Sequence, residues 1–316
     1  VERVHRRLID DRVPGRPIRV GPRRIGGETA PMELKRSWMP YLQATPLILV
    51  FALFFVLPIA LVVVVSFFDY QTYQILIPDF TFLNYEDVFT AEVTYRTYWI
   101  TLKFCLIVWA ITLVLGFTIA YFLAFHVRTL TMQIVLFLLC TIPFWTSIVI
   151  RMIAWIPLLG RNGLINKALI SLGLTDTPVE WLLFSEFAVV LGYVHLYTLF
   201  MIVPIFNSMM RIDRSLLEAS TDSGATGWQT IRHVVLPLCK PGIAIGSIFV
   251  IAMVMGDFVT VNVLGGGQVA SVGKAIATEL SYLQFPPAAA NAMVLLGVVI
   301  LLIALLMRFA DIRKEL

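Results

Sequence analysis

Residues 46–68 hold no charged side chain, and an apolar run of that length constrains this chain more than any other feature. About twenty apolar residues in a helix cross the hydrocarbon core of a bilayer. Five further runs repeat the pattern, at 98–125, 133–150, 187–206, 242–264 and 292–307, interrupted only by Lys103 and Asp257. The chain is 59% hydrophobic and 14% charged, whereas soluble domains carry about a quarter of charged residues. The runs predict an all-α integral membrane protein with six transmembrane helices inside a domain over 46–310. A cleaved leader has a shorter apolar region followed by small residues. Phe67-Phe68-Asp69-Tyr70 does not fit that, so the first run is expected to stay as an anchor.

Cations set the orientation. Residues 1–45 are rich in Arg, Pro and Gly and show no hydrophobic periodicity before Trp38, which predicts a mostly disordered basic tail. Basic residues ahead of a first span are what the positive-inside rule expects, so no nucleic-acid partner is needed to explain them. The loop at 69–97 carries Asp79, Glu86, Asp87 and Glu92 against Arg96. With both termini placed in the cytoplasm, eighteen of the 24 Lys and Arg residues fall inside and five outside. Lys103 lies near the outer end of the second run, where its long stem reaches the interface. This orientation puts 207–241 and the tail 311–316 in the cytoplasm, and 164–172 on the outside as a short surface helix.

Several chemistries are missing. Cys105, Cys140 and Cys239 form no CxxC pair and lie near no cluster of histidines, so neither a disulfide framework nor a metal site is predicted. Gly265-Gly266-Gly267 with Gly273-Lys274 has the wrong spacing for a phosphate loop, and Ala275 stands where a hydroxyl would be needed. The polar segments are too short to hold a catalytic domain. The chain is expected to be no enzyme and to carry no cofactor. Any energy it uses must come from a partner.

The polar stretch between the fourth and fifth runs is the exception to these featureless loops. It reads Glu218-Ala219-Ser220, then Gly224-Ala225, then Val234, Leu236 and Pro237, with Arg211, Arg214, Arg232 and Lys240 around it. Small residues leave a thin helix face that can enter a groove. Gly224 lets the backbone turn or approach closely. Glu218 follows Arg214 by four residues, so the two share a face and are placed to pair, unless Glu218 meets a partner's cation instead.

At this spacing the stretch resembles the cytoplasmic signature of permease subunits of binding-protein-dependent ABC importers. Ser220 and Val234 depart from that signature, with size or hydrophobicity kept. Pro143-Phe144-Trp145-Thr146-Ser147, Arg151, Asn162-Gly163, Asp176-Thr177-Pro178, Gly256-Asp257-Phe258 and Leu264-Gly265-Gly266 look like the spermidine/putrescine permease branch. The resemblance implies a type I importer permease in a bacterial inner membrane. Its partners would be an ATP-binding subunit dimer holding ATP and Mg, a second permease subunit (a different chain in this branch), and an external solute-binding protein. It also implies that Glu218, Ala219, Gly224, Ala225, Leu236 and Pro237 belong to the segment that couples to the ATPase.

Asp257 is the carboxylate placed within a run. An ionisable group at such depth costs about 2.5–3.5 kcal/mol on insertion scales unless a cavity or partner receives it. Two readings stay open: a cation site on a transport path, or a carboxylate bonded to a neighbouring helix. Trp145, Tyr193 and Tyr197 are aromatics that such a path would use for cation–π contact, and Tyr193 and Tyr197 share a helix face. The expected cargo is a polyamine-like cation, with an opine-like or other organic ion as the alternative. An ion-coupled secondary transporter would need inverted repeats or broken helices around a midplane site. A plain membrane anchor would leave Asp257 unexplained.

Overall fold

The computed structural model describes residues 39–71, 74–127 and 129–310. The basic tail up to residue 38, Arg128 and the tail 311–316 lie outside the described residues. Ahead of Leu53 the chain forms helix α1, Met39–Phe51. Residues 39–45 are therefore helical, where the sequence suggested tail.

From Leu53 onward the chain is a second compact unit. Helix α2, Leu57–Val65, leads into a small antiparallel hairpin of β1, Phe68–Gln71, and β2, Gln74–Phe80. The acidic loop expected over 69–97 is thus ordered, and its two strands are the exception in an otherwise helical fold. Helix α3, Leu83–Thr90, closes on the hairpin. Asn84 donates to the carbonyls of Ser66 and Phe68, at 3.1 and 2.8 Å, and Ser66 Oγ bonds the Tyr85 hydroxyl at 2.7 Å. Buried Asn84 therefore satisfies carbonyls that the irregular strand register leaves open.

The long helices follow: α4, Glu92–Tyr121; α5, Leu130–Thr141; α6, Ile148–Leu159; α7, Leu164–Ser171; and α8, Glu186–Met209. After them come α9, Arg214–Asp222; α10, Gly227–Thr230; α11, Leu236–Leu238; α12, Lys240–Gly256; α13, Val259–Leu264; α14, Val272–Ser281; and α15, Phe285–Ala310. Among the described residues, Gln43–Val65, Glu92–His126, Ile148–Ser171, Glu180–Met209 and Phe285–Arg308 are long and apolar enough to cross a membrane. Gly227–Leu238 with Lys240–Gly256 makes a sixth if a pair bent by 69° counts as one span.

Two expected spans are not continuous helices. The run 133–150 is helix α5, a tight 3₁₀ turn at Ile142–Trp145, a break at Thr146 and Ser147, and the start of α6. Pro143 removes a backbone donor there, and Thr146 accordingly turns extended. The run 242–264 breaks at Asp257 between α12 and α13, where Asp257 is also extended. The outer helix expected at 164–172 is present as α7.

Helices α4, α8 and α12 enclose the core, each through a stripe spaced three and four apart. On α8 the stripe is Val189, Tyr193, Leu196, Tyr197, Met201, Ile205 and Met209. Met201 sits between two glycines. A Cβ on Gly116 of α4 would lie 2.7 Å from its Cγ, and one on Gly246 of α12 would lie 2.8 Å from its Sδ. Close approach of backbones at small residues is how helices associate in lipid, where tails are as apolar as the side chains. Trp109 of α4 adds a hydrogen bond to Ser247 of α12 at 2.8 Å.

Candidate functional site

The polar stretch folds as a capped helix presented to the surroundings. Asp213 accepts from the backbone N–H of Ser215 at 3.0 Å and starts α9. That bond holds its carboxyl below the usual carboxylate range. At the other end Gly224 takes φ of +80°. The Gly224 N–H bonds the Thr221 carbonyl at 2.9 Å, and the Ala225 N–H bonds the Ser220 carbonyl at 3.1 Å. These are the paired bonds of a left-handed helix cap, which needs a residue without a Cβ penalty. Thr226 and Gln229 then cap α10 reciprocally, a Thr-x-x-Gln signature present in the sequence that the sequence reading passed over. Ser220 Oγ and Thr230 Oγ1, 2.9 Å apart, tie the two helices together.

Glu218, Ala219 and Gly224 are exposed on this hairpin of helices, and Ala225 is half-buried. Arg214 and Glu218 do not pair: the ion pairs among the described residues are Lys103–Glu186 and Arg161–Glu180. Glu218 is left facing outward. Leu236 and Pro237 stand farther along, in α11, beyond a wide turn at Ile231–Val235. Trp228, also unremarked in the sequence, is 71% exposed beside the capped turn.

Asp257 ends α12 and organises the break. Its Oδ1 accepts from the Thr260 N–H at 2.9 Å and its Oδ2 from the Thr260 hydroxyl at 2.8 Å, both in the first turn of α13. The Tyr197 hydroxyl donates to the same Oδ2 at 2.5 Å. Tyr193 reaches the Asp257 backbone carbonyl at 3.4 Å and stacks on Tyr197 with ring centroids 5.8 Å apart. The two tyrosines and Asp257 are thus brought together, as the helix-face spacing suggested. Asp257 is half-buried, with both carboxylate oxygens bonded. Asp257 was expected within a helix and is instead the residue that interrupts one: Gly256 offers no side chain, and the carboxylate supplies an acceptor to the free N–H donors at the start of the next helix.

Trp145 does not join this group. It is 86% exposed and lines an apolar recess with Val135, Leu138, Leu139 and Ile142. Its neighbour in sequence does join: Phe144 meets Phe200 edge-on at 4.9 Å, Phe200 lies 6.3 Å from Tyr197, and Phe249 of α12 lies 6.0 Å from Phe200. The guanidinium of Arg151, on the first turn of α6, stands 5.5 Å from the centre of the Phe144 ring. One turn on, Trp155 donates to His195 Nδ1 at 3.0 Å. A run of aromatics therefore leads along α8 and α12 toward a carboxylate, with one arginine against it. The sequence carried no signal for Phe200, because only packing makes it a partner; Thr260, three residues after Asp257, stood at helix-capping distance in the sequence but was passed over.

The comparisons with known proteins bear on this arrangement. Residues 112–313 match the family described as binding-protein-dependent transport system inner membrane component. The chain is 34% identical over 228 residues to the spermidine/putrescine transport system permease protein PotB of Haemophilus influenzae, covering 72% of this chain and 78% of that protein. It is 35% identical over 196 residues to PotB of Escherichia coli, covering 62% and 70%. In fold it is similar to a chain of a bacterial ABC transporter involved in the import of the acidic polysaccharide alginate, with a TM-score of 0.67 at 18% identity over 88% of this chain and 96% of that one. The family match takes in the capped loop, the helix breaks and the aromatic run together, and the chain belongs to the binding-protein-dependent transport system inner membrane components, as a multi-pass, non-catalytic ABC permease subunit of the inner membrane.

Proposed function

We propose that this chain is one membrane half of an ATP-driven importer that carries a small organic cation of the polyamine class into the cytoplasm. The observation that carries the reading is the capped helix α9, which has no intramolecular reason to present Glu218 and Ala219 outward on a fixed turn. An ATP-binding subunit docked on that hairpin would supply the energy the chain lacks, with ATP and Mg held on that partner. A second permease subunit would cover the α8 and α12 face, and an external binding protein would deliver the solute.

The cargo class rests on the similarity to the spermidine/putrescine permeases and on chemistry that suits it. A half-buried carboxylate behind stacked aromatics favours an alkylammonium group through charge and cation–π contact. ATP-dependent uptake of radiolabelled spermidine, putrescine and octopine into vesicles holding the full complex tests the class. Spermidine or putrescine uptake that octopine does not reproduce supports the reading, and octopine alone being carried rejects the amine. In the same vesicles Gly224→Trp should leave insertion intact and abolish uptake while ATP hydrolysis persists; normal uptake would remove the coupling assignment.

A further inference from the structure

The aromatic run already holds a cation, and it belongs to the protein. Arg151 places its guanidinium over the Phe144 ring at 5.5 Å. Its Nε and Nη1 atoms are buried with no hydrogen-bond acceptor among the described residues. Asp257 does not supply one: its recorded bonds come from Tyr197 and Thr260. Through Phe144 and Phe200, Arg151 is linked ring by ring to Tyr197, the tyrosine that bonds the carboxylate. Buried polar atoms are nearly always satisfied, so a guanidinium whose Nε and Nη1 lack acceptors is held here by its contact with the aromatic face.

We infer that Arg151 is a specificity-determining residue that acts as a tethered cation, occupying the aromatic surface at Phe144 that an organic cation crossing this face must use. An entering ammonium group displaces the guanidinium, which swings its free donors toward acceptors elsewhere. Organic cations therefore meet a competitor that neutral solutes do not meet. This inference rests on the proposed reading that the solute passes the aromatics in front of Asp257, but not on the identity of the cargo.

The test uses the assembled complex in proteoliposomes with ATP and its external binding protein, so that the path opens, and follows radiolabelled tetramethylammonium and mannitol. Arg151→Met keeps the length of the side chain and removes its charge. It should raise tetramethylammonium flux roughly tenfold, the scale of a lost desolvated cation–π contact, and leave mannitol unchanged. Arg151→Lys should keep the wild-type flux. If the Met variant fails to co-purify with its partners, Arg151→Gln carries the same expectation. Equal tetramethylammonium flux in variant and wild type, a fall in that flux, or an equal rise for mannitol overturns the inference. Spermidine uptake by the wild-type complex is scored separately, so a wrong cargo and a wrong role for Arg151 give different results.

Discussion

At the scale of single residues, the Asp257 carboxylate accepts from the Tyr197 hydroxyl and from the hydroxyl and N–H of Thr260, and either hydroxyl can be removed alone. Tyr197→Phe deletes one hydrogen bond to a charged acceptor, worth about 1.5–3 kcal/mol. Asp257→Asn deletes the charge and keeps the shape. If the carboxylate serves the solute as well as the helix break, uptake should fall much further in Asp257→Asn than in Tyr197→Phe, while thermal stability in detergent falls in both. Equal losses of uptake would return Asp257 to a purely structural role. Glu279 of α14 makes a second case. Its Oε1 accepts from Asn291 at 2.8 Å, its Oε2 is buried without a partner, and burial raises its carboxyl above the usual range. The folded chain therefore holds that proton to higher pH than the unfolded chain does. The associated stability is present at acid pH and is lost as pH rises through the raised value. Glu279→Gln keeps an acceptor for Asn291, so its melting temperature should fall less than that of wild type between about pH 4 and about pH 8. Asp257 was legible as a misplaced charge in an apolar run. Its donor Tyr197 was not, because it comes from another helix and no local pattern couples the two.

At the scale of elements, the cap at Gly224 has open space around it, since a Cβ there would meet nothing within 4 Å. Any penalty is therefore in the backbone, of order 1 kcal/mol or more for a side chain held at positive φ. Gly224→Asn, which tolerates that conformation, should retain most uptake, and Gly224→Val should lose it; similar uptake by the two would deny that the cap sets the loop. At the hairpin, Asn84→Ala leaves the Ser66 and Phe68 carbonyls without their donor, a loss of about 1–3 kcal/mol. Faster amide exchange across β1 should report it. Gly224 was read from the sequence as the turn of the loop, whereas the caps at Asp213 and Thr226 were present in it and passed over. The breaks at Thr146 and Asp257 were hidden, because Pro143 and the Asp257 charge mark irregular positions without saying that the helix stops there, and a hydropathy pattern records polarity but not hydrogen-bond continuity.

At the scale of the whole second unit, stability depends on how closely α4, α8 and α12 meet. Gly246→Leu drives a side chain into Met201 and should lower stability by about 1–3 kcal/mol, read as a lower melting temperature of the purified complex. The same packing makes α12 a stiff rod. It joins the helical segment Gly227–Leu238 at Cys239 through a 69° bend and ends at Gly256, next to the carboxylate. Its 17 residues span about 25 Å, so a swing of about 10° at the bend carries the far end through about 4 Å. That is a mechanical advantage: a tilt of the exposed hairpin small enough to preserve every contact around its cap becomes, at Asp257, a displacement larger than a hydrogen bond is long.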